Sequence, residues 1–217
     1  MIPLFHDFRN ERVVIFGGGS VGARKARRFA READVTVISP EFADTKFGGA
    51  DVVRARPGPE AVEDWLDRVD PVLVVAATDD EGLNDAIESA ARDREILINR
   101  ADESGERDAG SVVVPATIRR DPVTIAIATG ATSPALSRVL REHLEDDPRV
   151  DSAGAMAELS SELRTELRDR GIDPATRREV LRDVVKTEGV WKALDTSGSN
   201  PRERAVSVIS DVIGDTA

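Results

Sequence analysis

VVIFGGGSVGARKARRFA, residues 13–30, is the stretch that decides the fold of this chain. Four apolar residues typical of a buried strand lead into three consecutive glycines, and a helical pattern follows from Ser20. Gly17, Gly19 and Gly22 match the spacing of dinucleotide-binding loops, where glycines allow a tight turn, close approach of a phosphate and close packing of the helix on the strand. The stretch therefore predicts a nucleotide cradle at a helix N-terminus. The alternative is a turn that serves the fold alone.

Strands and helices alternate along the first half of the chain. Short apolar runs predict strands at residues 13–16, 35–39, 51–55, 72–77 and 96–99. Amphipathic segments between them predict helices at residues 20–32, 59–69 and 79–92. This alternation is typical of an α/β fold, so we expect a Rossmann-type parallel sheet with right-handed crossovers.

The pattern changes after the fifth predicted strand. Residues 111–114 and 123–128 predict two strands, and their link is too short for a crossover helix, so we expect an antiparallel hairpin. A helix should follow over residues 134–145, capped by Thr132 or Ser133. The rest of the chain predicts helices alone, at residues 152–170, 175–187 and 202–213. These changes predict an α/β domain (1–113), a small α+β region (114–150) and a helical C-terminal domain (151–217).

Composition excludes several classes of protein. The formal net charge of −11 argues against non-specific binding to nucleic acid, because such binding needs a basic surface. The chain has no cysteine, which excludes disulfides and thiolate chemistry and fits a reducing compartment. No apolar run approaches the roughly 20 residues that span a bilayer, and the N-terminus does not resemble a signal peptide, so we expect a cytoplasmic protein. The acidic, lysine-poor composition fits adaptation to high salt and an ordinary acidic protein equally well.

The ends of the second and fourth predicted strands supply further candidates for the nucleotide site, because ligands bind at the carboxyl ends of the strands in such sheets. The second strand ends in Ser39, Pro40 and Glu41, without the usual acidic residue at its end, and no arginine follows directly to bind a 2′-phosphate. NAD is therefore favoured over NADP, although these residues could also form a simple turn. At the fourth strand, Ala77 would let a cofactor approach, and the Thr78 hydroxyl could bond a ribose or cap the next helix.

Several segments together resemble the precorrin-2 dehydrogenase family, the dehydrogenase and ferrochelatase module of siroheme synthesis. The resemblance is carried by PLFHDFRNERVVIFGGGSVGARKA, VVAATDDEGLN, INRAD, VVVPATI and ATGATSPALSRVLREHLE, which run from residue 3 to about residue 146. It implies oxidation of precorrin-2 to sirohydrochlorin with NAD as the hydride acceptor and, in some members, insertion of Fe²⁺. It also implies an NAD domain, a central dimerisation region and a helical domain, in a homodimer whose subunits exchange elements.

The resemblance assigns roles to individual residues. Asp102 matches the family's catalytic aspartate, which would accept a proton from the macrocycle as the hydride leaves. Together with the residue patterns, it gives a cofactor site made of Gly17, Gly19, Ser20, Val21, Gly22, Ser39, Pro40, Glu41, Ala77 and Thr78. It places the substrate cleft near Thr129, Gly130 and Ser133. No residue is expected to hold a resident metal, and His143 is expected on the surface.

Two further points concern the loop after Asp102 and the substrate's carboxylates. The segment from Asp102 to Pro115 is longer than is usual in the family, which makes Asp108 a competing acid. The tetrapyrrole that the resemblance implies carries carboxylates, and arginine binds carboxylates well. The candidates are Arg100, Arg119, Arg120 and Arg138, each of which could instead be a solvated or ion-paired surface residue.

A non-enzymatic NAD-binding regulatory module is the alternative function. Such a module would share the glycine loop, but it predicts an acid at the end of the second strand and gives no role to the TGATSP segment, residues 129–134. The chain has Ser39 where such a module would have the acid, and it contains the TGATSP segment, so an enzyme is favoured.

Overall fold

The protein is described by a computed structural model over residues 2–101, 111–130, 132–196 and 198–214. The chain forms two compact units, one of Met1–Val114 with Gly130–Thr132 and the other of Pro115–Thr129 with Ser133–Ala217. The three-domain division with boundaries near residues 113 and 150 stays a prediction. Among the described helices, none is long and apolar enough to cross a membrane.

Within the described residues, the first unit holds a five-stranded parallel sheet in the order β3-β2-β1-β4-β5. Its strands are β1 (Arg12–Phe16), β2 (Asp34–Ser39), β3 (Asp51–Arg54), β4 (Leu73–Ala76) and β5 (Leu97–Arg100). Its helices are α1 (Ser20–Phe29), α2 (Val62–Val69), which follows a 3₁₀ turn at Pro59–Ala61, and α3 (Glu81–Asp93). The predicted α/β fold is confirmed.

The centre of this sheet is buried on both faces. Alternate residues of β1 pack on opposite sides, so that Val14 and Phe16 join a core with α2 and α3 while Val13 and Ile15 join a core with α1. All four side chains are fully buried. This double burial is why the run before the glycines is continuously apolar, as expected of a central parallel strand.

The second unit begins with an antiparallel hairpin of β6 (Ala116–Arg120) and β7 (Val123–Ile127). The predicted strand at residues 111–114 is wrong, because Ser111 makes only an isolated bridge to Ile98 and the next residues are irregular. The two-residue turn places Arg120 opposite Val123. The segment directly before the turn, and not residues 111–114, therefore pairs with β7. The expected hairpin is present, but its first strand lies later in the chain than predicted.

Helices make up the rest of the second unit. They are α4 (Pro134–Glu145), α5 (Pro148–Asp151), α6 (Ala153–Asp169), α7 (Pro174–Lys186), α8 (Glu188–Asp195) and α9 (Pro201–Ile213). Leu159, Leu163 and Leu167 of α6 form a buried stripe that packs with Val180 and Val184 of α7. Two helices were not predicted from the sequence: α5, a single turn, and α8, which follows α7 without an intervening glycine or proline.

Candidate functional site

A cavity of about 790 Å³ lies at the carboxyl ends of β1, β2 and β4. Its lining comes from the glycine loop (residues 17–21), the segment at the end of β2 (38–43), residues 56–57 beyond β3, and the segment after β4 (77–80). The volume falls within the range of about 300–1,000 Å³ that is typical of ligand sites. The sheet order reverses between β1 and β4, and this reversal creates the crevice in which doubly wound folds bind ligands.

The glycines of the loop meet different surroundings. Gly17 has φ +116°, and a Cβ there would lie 2.1 Å from the Ala77 carbonyl oxygen. A Cβ on Gly22 would lie 1.9 Å from the Gly17 carbonyl oxygen, so both positions must be glycine for the loop to pack. A Cβ on Gly19 would meet no atom within 4 Å, so here the glycine leaves space free for a ligand.

The N-terminus of α1 is the feature that suits a phosphate. The helix begins at Ser20 after the N-cap residue Gly19, and no side chain caps its first N–H groups. Ser20 and Val21 of this first turn line the cavity. Uncapped N–H groups and the positive end of the helix dipole together attract an anion, so the residues present fit the diphosphate of a dinucleotide.

The segment after β2 is held by β3. Ser39 is 7% exposed and its carbonyl oxygen accepts a hydrogen bond of 3.1 Å from the Ala55 N–H. Arg54 donates from Nη1 to the Pro40 carbonyl oxygen at 2.9 Å. Arg56, which was not among the residues predicted from the sequence, also lines the cavity. The signal for Arg56 was its position two residues beyond β3, which ends at the same edge of the sheet as β2.

Thr78 is fixed by a buried amide, Asn84, which was not predicted from the sequence either. The Thr78 hydroxyl donates to Asn84 Oδ1 at 2.7 Å, and Asn84 Nδ2 donates back to the Thr78 carbonyl oxygen at 2.9 Å. Asn84 is 1% exposed. The cap of α3 is Asp80, whose Oδ1 accepts from the Leu83 N–H at 3.0 Å, so the helix begins later than predicted and Thr78 is not its N-cap. Thr78 and Ala77 both line the cavity.

A second buried amide, Asn99 of β5, links two distant segments. Lys25 Nζ donates to Asn99 Oδ1 at 2.7 Å, and Asn99 Nδ2 donates to the Val112 carbonyl oxygen at 2.7 Å. Lys25 was not among the site residues predicted from the sequence. The predicted catalytic residue Asp102 and the competing Asp108 lie outside the described residues.

The arginines proposed for substrate carboxylates have different surroundings. The Arg100 side chain is 3% exposed and donates to Asp85 at 2.9 Å and to Glu88 at 2.8 Å, so it is paired with two carboxylates of α3. Arg120 Nε pairs with Asp151 at 3.0 Å. Arg138 is 77% exposed, with Glu142 at 3.8 Å on the same helix, and therefore stays accessible to a ligand.

The residues predicted for the substrate cleft lie before and at the start of α4. Thr129 Oγ1 donates to the Ser133 carbonyl oxygen at 2.9 Å. Ser133 Oγ accepts from the Leu136 N–H at 3.2 Å, which identifies Ser133 as the N-cap of α4. Gly130 has φ +60°. His143 is exposed on the same helix, as expected, with Nδ1 3.0 Å from the Val139 carbonyl oxygen.

Comparisons with known proteins agree on the family. The model of an NAD(P)-binding family matches residues 4–116. The chain is 34% identical to a precorrin-2 dehydrogenase of Methanosarcina barkeri over 98% of this chain and 95% of that protein. It is 34% identical to a siroheme synthase of Nitrosospira multiformis over 85% of this chain, but spans only 39% of that relative. The solved structure of the precorrin-2 dehydrogenase SirC matches with a TM-score of 0.69 over 97% of this chain and 100% of that chain at 22% identity, which supports the fold.

Proposed function

The chain belongs to the precorrin-2 dehydrogenase family, and from this premise we propose that it oxidises precorrin-2 to sirohydrochlorin with NAD as the acceptor. The observation that carries the proposal is the cavity between β1 and β4, which opens at the uncapped N-terminus of α1. The regulatory-module alternative gives no account of the similarity to an enzyme along almost the whole chain.

Residues of the first unit would hold the cofactor. The N–H groups of Ser20 and Val21 would bind the diphosphate, and Gly19 would leave room for it. Ser39 and Glu41 are assigned to the adenosine ribose, and Thr78, oriented by Asn84, to the ribose next to the nicotinamide. When bound, NAD⁺ supplies an acceptor for a hydride at its nicotinamide ring.

The oxidation also releases a proton, for which the protein must supply a base. The substrate loses a hydride and a proton, and we assign the proton to the carboxylate of Asp102. Asp102 follows β5, which pairs with β4 along the edge where the cavity opens. Lys25 of α1 donates to Asn99 Oδ1, and Asn99 Nδ2 donates to the Val112 carbonyl oxygen, so β5, which precedes the acid's segment, is tied both to α1 and to Val112, which follows that segment in the chain.

An anaerobic assay with precorrin-2 and NAD⁺ tests this function, with absorbance followed at the NADH and sirohydrochlorin bands. Asp102→Ala should lower kcat by about 10²- to 10⁴-fold, the usual contribution of a general base, while NAD⁺ binding and the circular dichroism spectrum stay unchanged. Asp108→Ala is the matched control, since it removes an acid from the same segment, and it should keep most of the activity. Full activity of Asp102→Ala would contradict the assignment of Asp102 as the base.

We propose that the protein forms a homodimer and is located in the cytoplasm. In α4 no residue is buried, and Leu136, Val139 and Leu140 share one face with exposures of 49%, 45% and 41%. This face lies on the same unit as the two-stranded sheet of β6 and β7, and a sheet of two strands is marginally stable without further packing. A second copy of the chain would cover the apolar face.

Insertion of Fe²⁺ is a second reaction that the family resemblance implies. Within the part of the chain that the structure describes, no group of three or more histidine, aspartate or glutamate side chains is arranged to hold a metal. The same assay tests this reaction when Fe²⁺ or Co²⁺ is added to the sirohydrochlorin formed. Insertion faster than the rate without protein supports the second activity, and equal rates contradict it.

A further inference from the structure

Arg56 occupies a position at the rim of the cofactor cavity that the sheet register defines. Ser39 of β2 lies opposite Arg54 of β3, and the Ala55 N–H donates to the Ser39 carbonyl oxygen at 3.1 Å. Arg56 directly follows this last bond between the strands. Since neighbouring strands lie about 4.8 Å apart, its backbone stands next to the end of β2, and its side chain lines the cavity.

The charge of Arg56 is available to a ligand. Among the described residues that line the cavity, Arg56 is the basic one, and no described residue makes an ion pair or hydrogen bond with its side chain. Arg54 differs, because it donates to the Pro40 carbonyl oxygen and its guanidinium lies 5.6 Å from the centre of the Phe42 ring. Arg54 therefore holds the segment after β2, while Arg56 faces the space that a nucleotide would fill.

The end of β2 lacks the group that normally excludes a 2′-phosphate. In Rossmann folds specific for NAD, a carboxylate here binds the 2′-hydroxyl of the adenosine ribose and repels a phosphate, whereas a nearby arginine accommodates the phosphate. This chain has the buried hydroxyl of Ser39 at the position. Glu41, which is assigned to the same ribose, comes two residues further on and is exposed, so water and salt screen its repulsion of a phosphate.

We propose that Arg56 binds the 2′ position of the adenosine ribose, so that the cavity accepts NADP as a second cofactor beside NAD. A guanidinium offers a fork of donors that fits a phosphate in two-point contact. The proposal rests on the proposed function only in so far as the bound cofactor would serve in the oxidation of precorrin-2. The sequence favoured NAD over NADP because no arginine directly follows the second strand. The proposal modifies that expectation, because Arg56 reaches the cavity from the segment after β3.

Direct binding measures this choice without the tetrapyrrole. Isothermal titration of the full chain with NAD⁺ and with NADP⁺ gives two Kd values, and their ratio is the decisive quantity. Arg56→Gln should raise the ratio of Kd for NADP⁺ to Kd for NAD⁺ by at least about tenfold, the loss expected when a charged hydrogen bond to phosphate is removed. Retained NAD⁺ binding by the variant shows that it is folded. Arg31→Gln is the control, since Arg31 is also an exposed arginine but does not line the cavity, and its ratio should equal that of the unaltered protein.

The outcomes separate cleanly. A rise of tenfold or more in the ratio for Arg56→Gln, without a rise for Arg31→Gln, supports the proposal. A smaller rise, an equal rise in both variants, or no measurable binding of NADP⁺ by the unaltered protein overturns it. Because precorrin-2 is absent, a failure of the dehydrogenase assay leaves this result untouched, and the two proposals fail independently.

Discussion

At the scale of single residues, the glycine loop separates positions that shape the fold from a position that serves the ligand. Gly17 and Gly22 are required because backbone atoms occupy the space of a side chain at both. Gly19 faces open space and has φ −71°, which any residue can adopt. One sequence pattern thus contains two different physical reasons for glycine, and the spacing alone does not tell them apart.

This difference predicts opposite behaviour for two matched substitutions. Gly22→Ala should destabilise the protein by about 1–3 kcal/mol, because the added methyl meets the Gly17 backbone and α1 must move away from the loop. Gly19→Ala should unfold at the same urea concentration as the unaltered protein but bind NAD⁺ at least about tenfold more weakly, because its methyl takes space needed by the diphosphate. Urea unfolding followed by circular dichroism, and titration with NAD⁺, measure the two effects. Unaltered NAD⁺ binding by Gly19→Ala would contradict the assignment of the diphosphate to this loop.

At the scale of elements, helix starts in the second unit follow a repeated local signal. Four helices begin with a polar N-cap whose side chain accepts a backbone N–H, followed at once by proline: Ser133-Pro134, Asp147-Pro148, Asp173-Pro174 and Asn200-Pro201. Proline suits the first helical position because its missing N–H would have no partner there. The helix α8 starts after Thr187 without a side-chain cap, and it was missed. A cap is neither sufficient nor necessary for a correct prediction: α5 was missed although Asp147 caps it, and α6 was predicted although its N-cap Ser152 makes no side-chain cap bond.

The cap of α7 gives a prediction that depends on pH. Hydrogen bonds from Thr176, and then from Ala175, lower the pKa of Asp173 below its ordinary value of 3.8. A lowered carboxyl pKa contributes stability above pH 3.8, and this contribution is lost as the pH falls through the lower pKa of the folded state. Asp173→Ala should lower Tm by roughly 2–4 °C at pH 7, whereas Asp173→Asn, also a good N-cap, should lower it less.

Thermal unfolding of the three proteins between pH 7 and pH 2 checks this. The gap between the unaltered protein and Asp173→Ala should narrow at the acid end, since the cap is then protonated. A gap that is constant over this range would show that the charge of Asp173 does not contribute.

At the scale of the whole molecule, the proposed homodimer depends on the apolar face of α4. Val139→Asp places a charge in the middle of that face, and the cost of burying an unpaired carboxylate should convert the dimer to monomers. Val206→Asp on α9 is the matched control, because Val206 is 44% exposed and Val139 is 45% exposed. Light scattering coupled to size exclusion measures the mass of each. Dissociation by both substitutions, or by neither, would argue against α4 as the interface.

Much of this molecule is determined by the sequence through local rules. The apolar runs, the helical periods, the proline caps and the glycine loop predicted the parallel sheet, the hairpin and most of the helices, because these signals act between residues a few positions apart. The same signals led to the cofactor segment at the carboxyl ends of β1, β2 and β4.

Only the tertiary structure decided which side chains meet across the chain. Lys25 reaches Asn99 from 74 residues away, Arg100 turns inward to carboxylates of α3, and Arg56 lines the cavity. Pairing with β7 likewise made residues 116–120 a strand in place of the more apolar 111–114. These contacts depend on strand order, register and burial, which are set by interactions between residues far apart in the sequence. They therefore cannot be predicted from any short segment.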